Sequence, residues 1–134
     1  MNLNRRNFTV SLATSLMIAQ SPVAWAYDDI AAEKYSGDTK NNVPHGKGVM
    51  VWSDGRRYEG EWKYGDRDGK GTYRWPTGEI YRGHWRNNRW HGQGVYTKAD
   101  GTTMKGEWKN GNMWNIVSTS PDGTRSVWKQ GIPQ

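Results

Sequence analysis

From Tyr58 onward, apolar and polar residues alternate with a period of two. In Tyr58-Glu59-Gly60-Glu61-Trp62-Lys63 the aromatics and the glycine fall on one side and the charges on the other. Gly69-Lys70-Gly71-Thr72-Tyr73-Arg74-Trp75 divides the same way, with Gly, Gly, Tyr and Trp against Lys, Thr and Arg. Alternation of this kind predicts half-buried β-strands. Between the two runs lies Tyr64-Gly65-Asp66-Arg67-Asp68, rich in turn formers, so the stretch predicts a β-hairpin.

The hairpin recurs. Tyr35, Tyr58, Tyr81 and Met104 stand 23 residues apart. Counting from each, Gly holds the third position (Gly37, Gly60, Gly83, Gly106), and Trp the fifth (Trp62, Trp85, Trp108, with Thr39 in the first unit). Gly-x-Gly follows at the twelfth to fourteenth positions (Gly46/Gly48, Gly69/Gly71, Gly92/Gly94). Asp54-Gly55, Thr77-Gly78, Asp100-Gly101 and Asp122-Gly123 turn the chain out of each unit. The expected fold is all-β: a single-layer, twisted antiparallel sheet of tandem hairpin repeats with about eight strands. The units are 35–57, 58–80, 81–103 and 104–126, after a linker at 27–34 and before a C-terminal tail at 127–134.

Glycine weakens a strand by entropy, so its recurrence points to close approach by another group. Each third-position glycine lies two residues from an aromatic on the same face, leaving a flat patch for a neighbouring ring. A buried aromatic covers ~150–250 Å², worth ~4 kcal/mol at ~25 cal/mol/Å². A ladder of such rings could hold together a sheet that lacks a second layer.

The first 26 residues follow another pattern. Asn4-Arg5-Arg6-Asn7 is basic, Phe8 to Ala19 is apolar, and the segment closes on Ala24-Trp25-Ala26. This is the layout of a helical signal peptide cleaved after Ala26. Its apolar stretch is shorter than the ~20 residues that span a bilayer. Arg5-Arg6-Asn7-Phe8 resembles the twin-arginine export signal, with Asn4 for its Ser/Thr and Thr9-Val10 for its Leu-Lys. The expected location is periplasmic, by the twin-arginine or the general secretory route.

Composition adds limits. The seventeen glycines all follow residue 36, the sole Phe is Phe8, and there is no cysteine for a disulfide, a thiolate metal site or thiol chemistry. The net charge of +6 includes Arg5 and Arg6 of the leader, and the remaining charges are interspersed, so no nucleic-acid partner is expected. His45 and His91 share one repeat position, and His84 stands where Glu61 and Glu107 stand. With no HExxH, no histidine cluster at ligand spacing and no Gly-x-Ser-x-Gly, no metal, cofactor or catalytic residue is expected, and the chain reads as non-enzymatic.

Tyr58-Glu59-Gly60-Glu61-Trp62, Gly65, Gly69-Lys70-Gly71 and Gly78 resemble the membrane occupation and recognition nexus (MORN) repeat. His91-Gly92-Gln93-Gly94 and His45-Gly46-Lys47-Gly48 resemble its His-Gly-x-Gly centre. The fourth unit keeps Gly106-Glu107-Trp108 but has Asn115 and Val117 for the central glycines. The resemblance implies a scaffold or protein-interaction module, including dimers of the chain itself. Trp75, Trp90 and Trp114 depart from the shared pattern and are candidate partner-binding rings. The alternative is an anionic membrane surface or phospholipid headgroup on the basic face of Arg82, His84, Arg86 and Arg89, or a cell-wall glycan stacked on exposed Trp.

Overall fold

The computed structural model describes residues 10–11 and 32–134. Over 32–134 there are ten strands. They are β2 (Ala32–Lys40), β3 (Val43–Trp52), β4 (Arg57–Lys63), β5 (Asp66–Arg74) and β6 (Ile80–Arg86). β7 (Arg89–Thr97), β8 (Thr103–Lys109), β9 (Asn112–Thr119), β10 (Arg125–Lys129) and β11 (Ile132–Pro133) follow. All lie in one antiparallel sheet, each strand beside its neighbour in the chain.

β2 to β9 are the hairpins of the four expected units. β10 and β11 extend the sheet beyond them, so the segment expected as a tail is paired. Val127 and Trp128 continue the ladder opposite Val117 and Ile116, and Gln130-Gly131 closes one more tight turn. At the other end β2 already begins at Ala32, inside the expected linker. A two-residue strand, β1 (Val10–Ser11), pairs with Tyr35 and Lys34. The open edge of β2 offers unpaired backbone groups for this. Val10–Ser11 is therefore strand where the leader was expected to be helical, and the rest of 1–26 lies outside the described residues.

Two kinds of turn alternate. The hairpin turns are Asn41-Asn42, Tyr64-Gly65, Asn87-Asn88, Asn110-Gly111 and Gln130-Gly131, with positive φ at both residues. This primed geometry matches the right-handed twist of the flanking strands, which explains the Asn and Gly. Three of the turns that close the units are held by an Asp side chain: Asp54, Asp100 and Asp122 accept from the backbone N–H of Arg56, Thr102 and Thr124 at 3.0, 2.8 and 2.8 Å.

The register lines up like residues across the sheet. Gly37, Gly48, Gly60, Gly71, Gly83, Gly94 and Gly106 are successive cross-strand partners. This bare line of backbone is where the tyrosines lie. The hydroxyls of Tyr35, Tyr58 and Tyr81 reach across it and donate to the carbonyls of Asp38, Glu61 and His84 at 2.7, 3.0 and 3.0 Å. The indoles of Trp62, Trp85 and Trp108 donate to the carbonyls of Gly48, Gly71 and Gly94 at 3.2, 3.2 and 3.4 Å. Tyr and Trp then alternate edge to face from Tyr35 to Trp108, with Tyr58 between Trp62 (4.9 Å) and Trp85 (5.4 Å). Tyr58 and Tyr81 are 0% exposed although the described residues form no second layer over them. Burial pushes the Tyr35 phenol up to about 12 and raises Tyr58 and Tyr81 as well.

Candidate binding face

The repeat aromatics pack together on one side of the sheet, and charged side chains stand exposed on the other face and at the turn edges. Side chains on the open face also run in rungs. One crosses the sheet as Ser36, Val49, Glu59, Thr72, Arg82, Val95, Lys105, Val117 and Val127.

Each unit carries a bulge beside this rung. Between the pairs Gly60↔Gly71 and Trp62↔Arg67, three residues of β5 oppose Glu61 alone. The extra chain is accommodated at Gly69, whose φ of 102° suits glycine. Glu61 then turns back, and its carboxylate accepts the backbone N–H of Lys70. The first unit repeats the arrangement: Asp38 accepts from the Lys47 N–H at 3.1 Å, beside Gly46 at φ 98°. In the third unit the bulge between Gly83↔Gly94 and Trp85↔Trp90 is preserved, but His84 occupies the carboxylate's position. Its Nδ1 lies 3.2 Å from the Gln93 carbonyl, to which it donates.

The bulge leaves an open groove on this face. At the second unit the groove has a volume of about 560 Å³ and is lined by Lys47, Glu59, Glu61 and Lys70 among others. One unit on, the same groove measures about 430 Å³ and is lined by Lys70, Arg82, His84, Gln93 and Lys105. Arg82 replaces Glu59 and His84 replaces Glu61, so the groove changes from mixed charge to cationic over one repeat. Among the described residues the ion pairs are Arg56–Asp54 and Arg57–Glu59. Lys70, Arg82 and Lys105 belong to neither.

The family model for the MORN repeat matches residues 35–56, 58–80 and 81–103. The chain belongs to the MORN repeat family. No curated protein matches it. The matched MORN units are those that open on a tyrosine laid over the glycine line. The fourth falls outside the matches, having Met104 for that tyrosine and Asn115 for the bulge glycine, yet β8 and β9 keep its hairpin.

Within the MORN units the sequence-derived candidates fall into separate places. Arg82 and His84 share the groove of the third unit, whereas Arg86 and Arg89 face each other beside the Asn87-Asn88 turn, at the sheet's edge. Lys70 and Lys105 complete the groove from neighbouring strands. The sequence pattern did not single them out, because only the register brings them to Arg82. Trp75 and Trp90 lie on the aromatic side. Trp90 stacks on Tyr81 at 4.3 Å with 2° between planes, and Trp75 packs on Tyr73 at 4.3 Å. Trp114 is half-buried, with the Lys109 ammonium 4.2 Å from its ring centre. His45 and His91 have a structural use: their Nδ1 atoms accept the N–H of Tyr64 and Asn110 in the next hairpin turn, at 3.2 and 3.4 Å. Tyr64 is an exposed aromatic that the pattern missed, 56% accessible at the tip of its turn.

Proposed function

We propose that this MORN protein is a non-enzymatic interaction module that holds an acidic protein partner on its open face. One observation carries the reading. The repeat aromatics are consumed in holding the sheet, while the groove at the third unit gathers Lys70, Arg82 and Lys105 from three successive units, none in an ion pair among the described residues. A rigid sheet with outward, unneutralised cations favours a complementary surface and speeds encounter with it. The glycan reading loses support, because Trp75 and Trp90 already pack within the chain.

The test is affinity capture from a cell-envelope extract with the full chain and with a Lys70→Glu/Arg82→Glu/Lys105→Glu variant. A protein retained by the first and lost by the second supports the reading. Recovery of anionic lipid without a specific protein overturns it.

A second reading, contact with an anionic lipid surface, is favoured by the hairpin-turn edge. Lys40, Lys63, Arg86, Lys109 and Lys129 each stand exposed where a strand enters a turn, and Tyr64 projects among them. Cosedimentation with phosphatidylglycerol vesicles that collapses in salt would identify it. The leader pattern supports a site of action outside the cytoplasm. Amino-terminal sequencing of the mature protein should then begin at Tyr27.

A further inference from the structure

We propose that the third MORN unit binds a carboxylate from an acidic peptide segment, in the place that the first two units fill with a carboxylate of their own. The inference rests on the reading of the open face as the recognition surface, and it names the chemistry recognised there.

The repeat itself displays the complex. At its bulge the thirteenth residue directs its backbone N–H at the side chain of the fourth residue across the strand pair. In the first unit the acceptor is Asp38, in the second Glu61. The third unit keeps the bulge, its glycine (Gly92, φ 73°) and the residue carrying the N–H, Gln93. What it lacks is the carboxylate. His84 stands there instead and directs Nδ1–H at the Gln93 carbonyl, so among the described residues no side chain accepts from the Gln93 N–H.

Cations gather around the same point. Arg82 lies on the adjacent rung, Lys105 is two strands away along that rung, and Lys70 is the cross-strand partner of His84. These groups line one groove with Gln93 and Gly94, and among the described residues no acidic side chain lines it. In the second unit the corresponding groove holds Glu59 and Glu61 and is internally balanced. A guanidinium and a backbone N–H together suit a planar carboxylate, which accepts from both at once. A strand-like segment bearing Glu or Asp could lie in the open groove with one carboxylate at the bulge and its neighbours near Lys70 and Lys105.

The test uses the full-length protein, isotope-labelled, and an end-capped Gly-Glu-Gly-Glu-Gly peptide. Titration should shift the amide signals of Gln93 and Gly94 and those of the His84 ring. His84→Glu restores the carboxylate found at Glu61 and Glu107, and it should weaken peptide binding by roughly tenfold or more through occupation and like-charge repulsion. Circular dichroism should show that this variant keeps its sheet. Arg82→Gln provides an independent loss, while Arg86→Gln, at the turn edge, should bind as wild type does. Unchanged peptide affinity in both His84→Glu and Arg82→Gln overturns the proposal. Inorganic phosphate that binds at Gln93 and displaces the peptide at equal concentration also overturns it, assigning the groove to phosphoryl groups. A partner captured from extract that is indifferent to His84→Glu sinks this inference while leaving the open-face reading standing.

Discussion

The phenol of Tyr58 lies so close over Gly71 that a β-carbon built there would sit 2.2 Å from its hydroxyl oxygen. No substitution at Gly71 leaves that ring in place. Gly71→Ala should destabilise the sheet by about 3 kcal/mol, at the upper end of overpacking costs. Gly78→Ala, with nothing within 4 Å of its β-carbon but φ at 93°, should cost only about 1 kcal/mol of backbone strain. Urea unfolding followed by tryptophan fluorescence separates the two, and equal losses would refute the ring-over-glycine account.

Removing only the hydroxyl tests the other half of that contact. Tyr58→Phe keeps the ring between Trp62 and Trp85 and deletes the bond to the Glu61 carbonyl. The expected loss is about 1 kcal/mol. Trp85→Ala, which removes a rung of the ladder and its bond to Gly71, should cost about 4 kcal/mol.

Alkali should unfold the sheet through its tyrosines. Burial, with Asp38 adding to it, pushes Tyr35 from 10.0 to about 12. Burial and the bond to Glu79 push Tyr96 to about 12. Their folded values lie above the unfolded one, so the stability they contribute is complete below about pH 10 and is lost as pH rises through 12. Phenolate absorbance should therefore rise together with loss of tryptophan order. Asp54, Asp100 and Asp122 act oppositely. Backbone N–H groups hold their carboxyls below the usual range, so their contribution is present above the unfolded value and lost as pH falls through the folded one.

Tyr64 occupies the first position of a primed turn at φ 49°, where Asn41, Asn87 and Asn110 stand in other units. Asn tolerates that region better than a bulky side chain. Tyr64→Asn should stabilise the protein by about 1 kcal/mol. A lowered denaturation midpoint would show that the packing of Tyr64 on His45 outweighs the strain.

A chain beginning at Tyr27 should retain the sheet. Of the described strands it lacks Val10–Ser11 alone, whereas the Tyr35–Trp62 contact and every hairpin from β2 onward remain. Coincident far-ultraviolet spectra of the full and shortened chains would establish this.

The repeat, its hairpins and the role of its glycines were legible in the sequence, since period-two alternation and a 23-residue recurrence depend only on local geometry and on like units stacking alike. The pairing at the two ends lay outside that pattern. Val127-Trp128 and Gln130-Gly131 form a further hairpin because the last full unit leaves an edge open to pairing, not because they match the repeat. Arg67 is buried among Tyr73 and Trp85 at the position Trp90 takes one unit later, and no alternation pattern foretells a buried arginine. The groove was less legible still. Lys70, Arg82 and Lys105 are separated along the chain and acquire a common site only when the hydrogen-bond register sets β5, β6, β7 and β8 side by side. Local chemistry determined the element each residue joins; long-range pairing decided which charges meet, because a sheet's neighbours are set by register and not by distance along the chain.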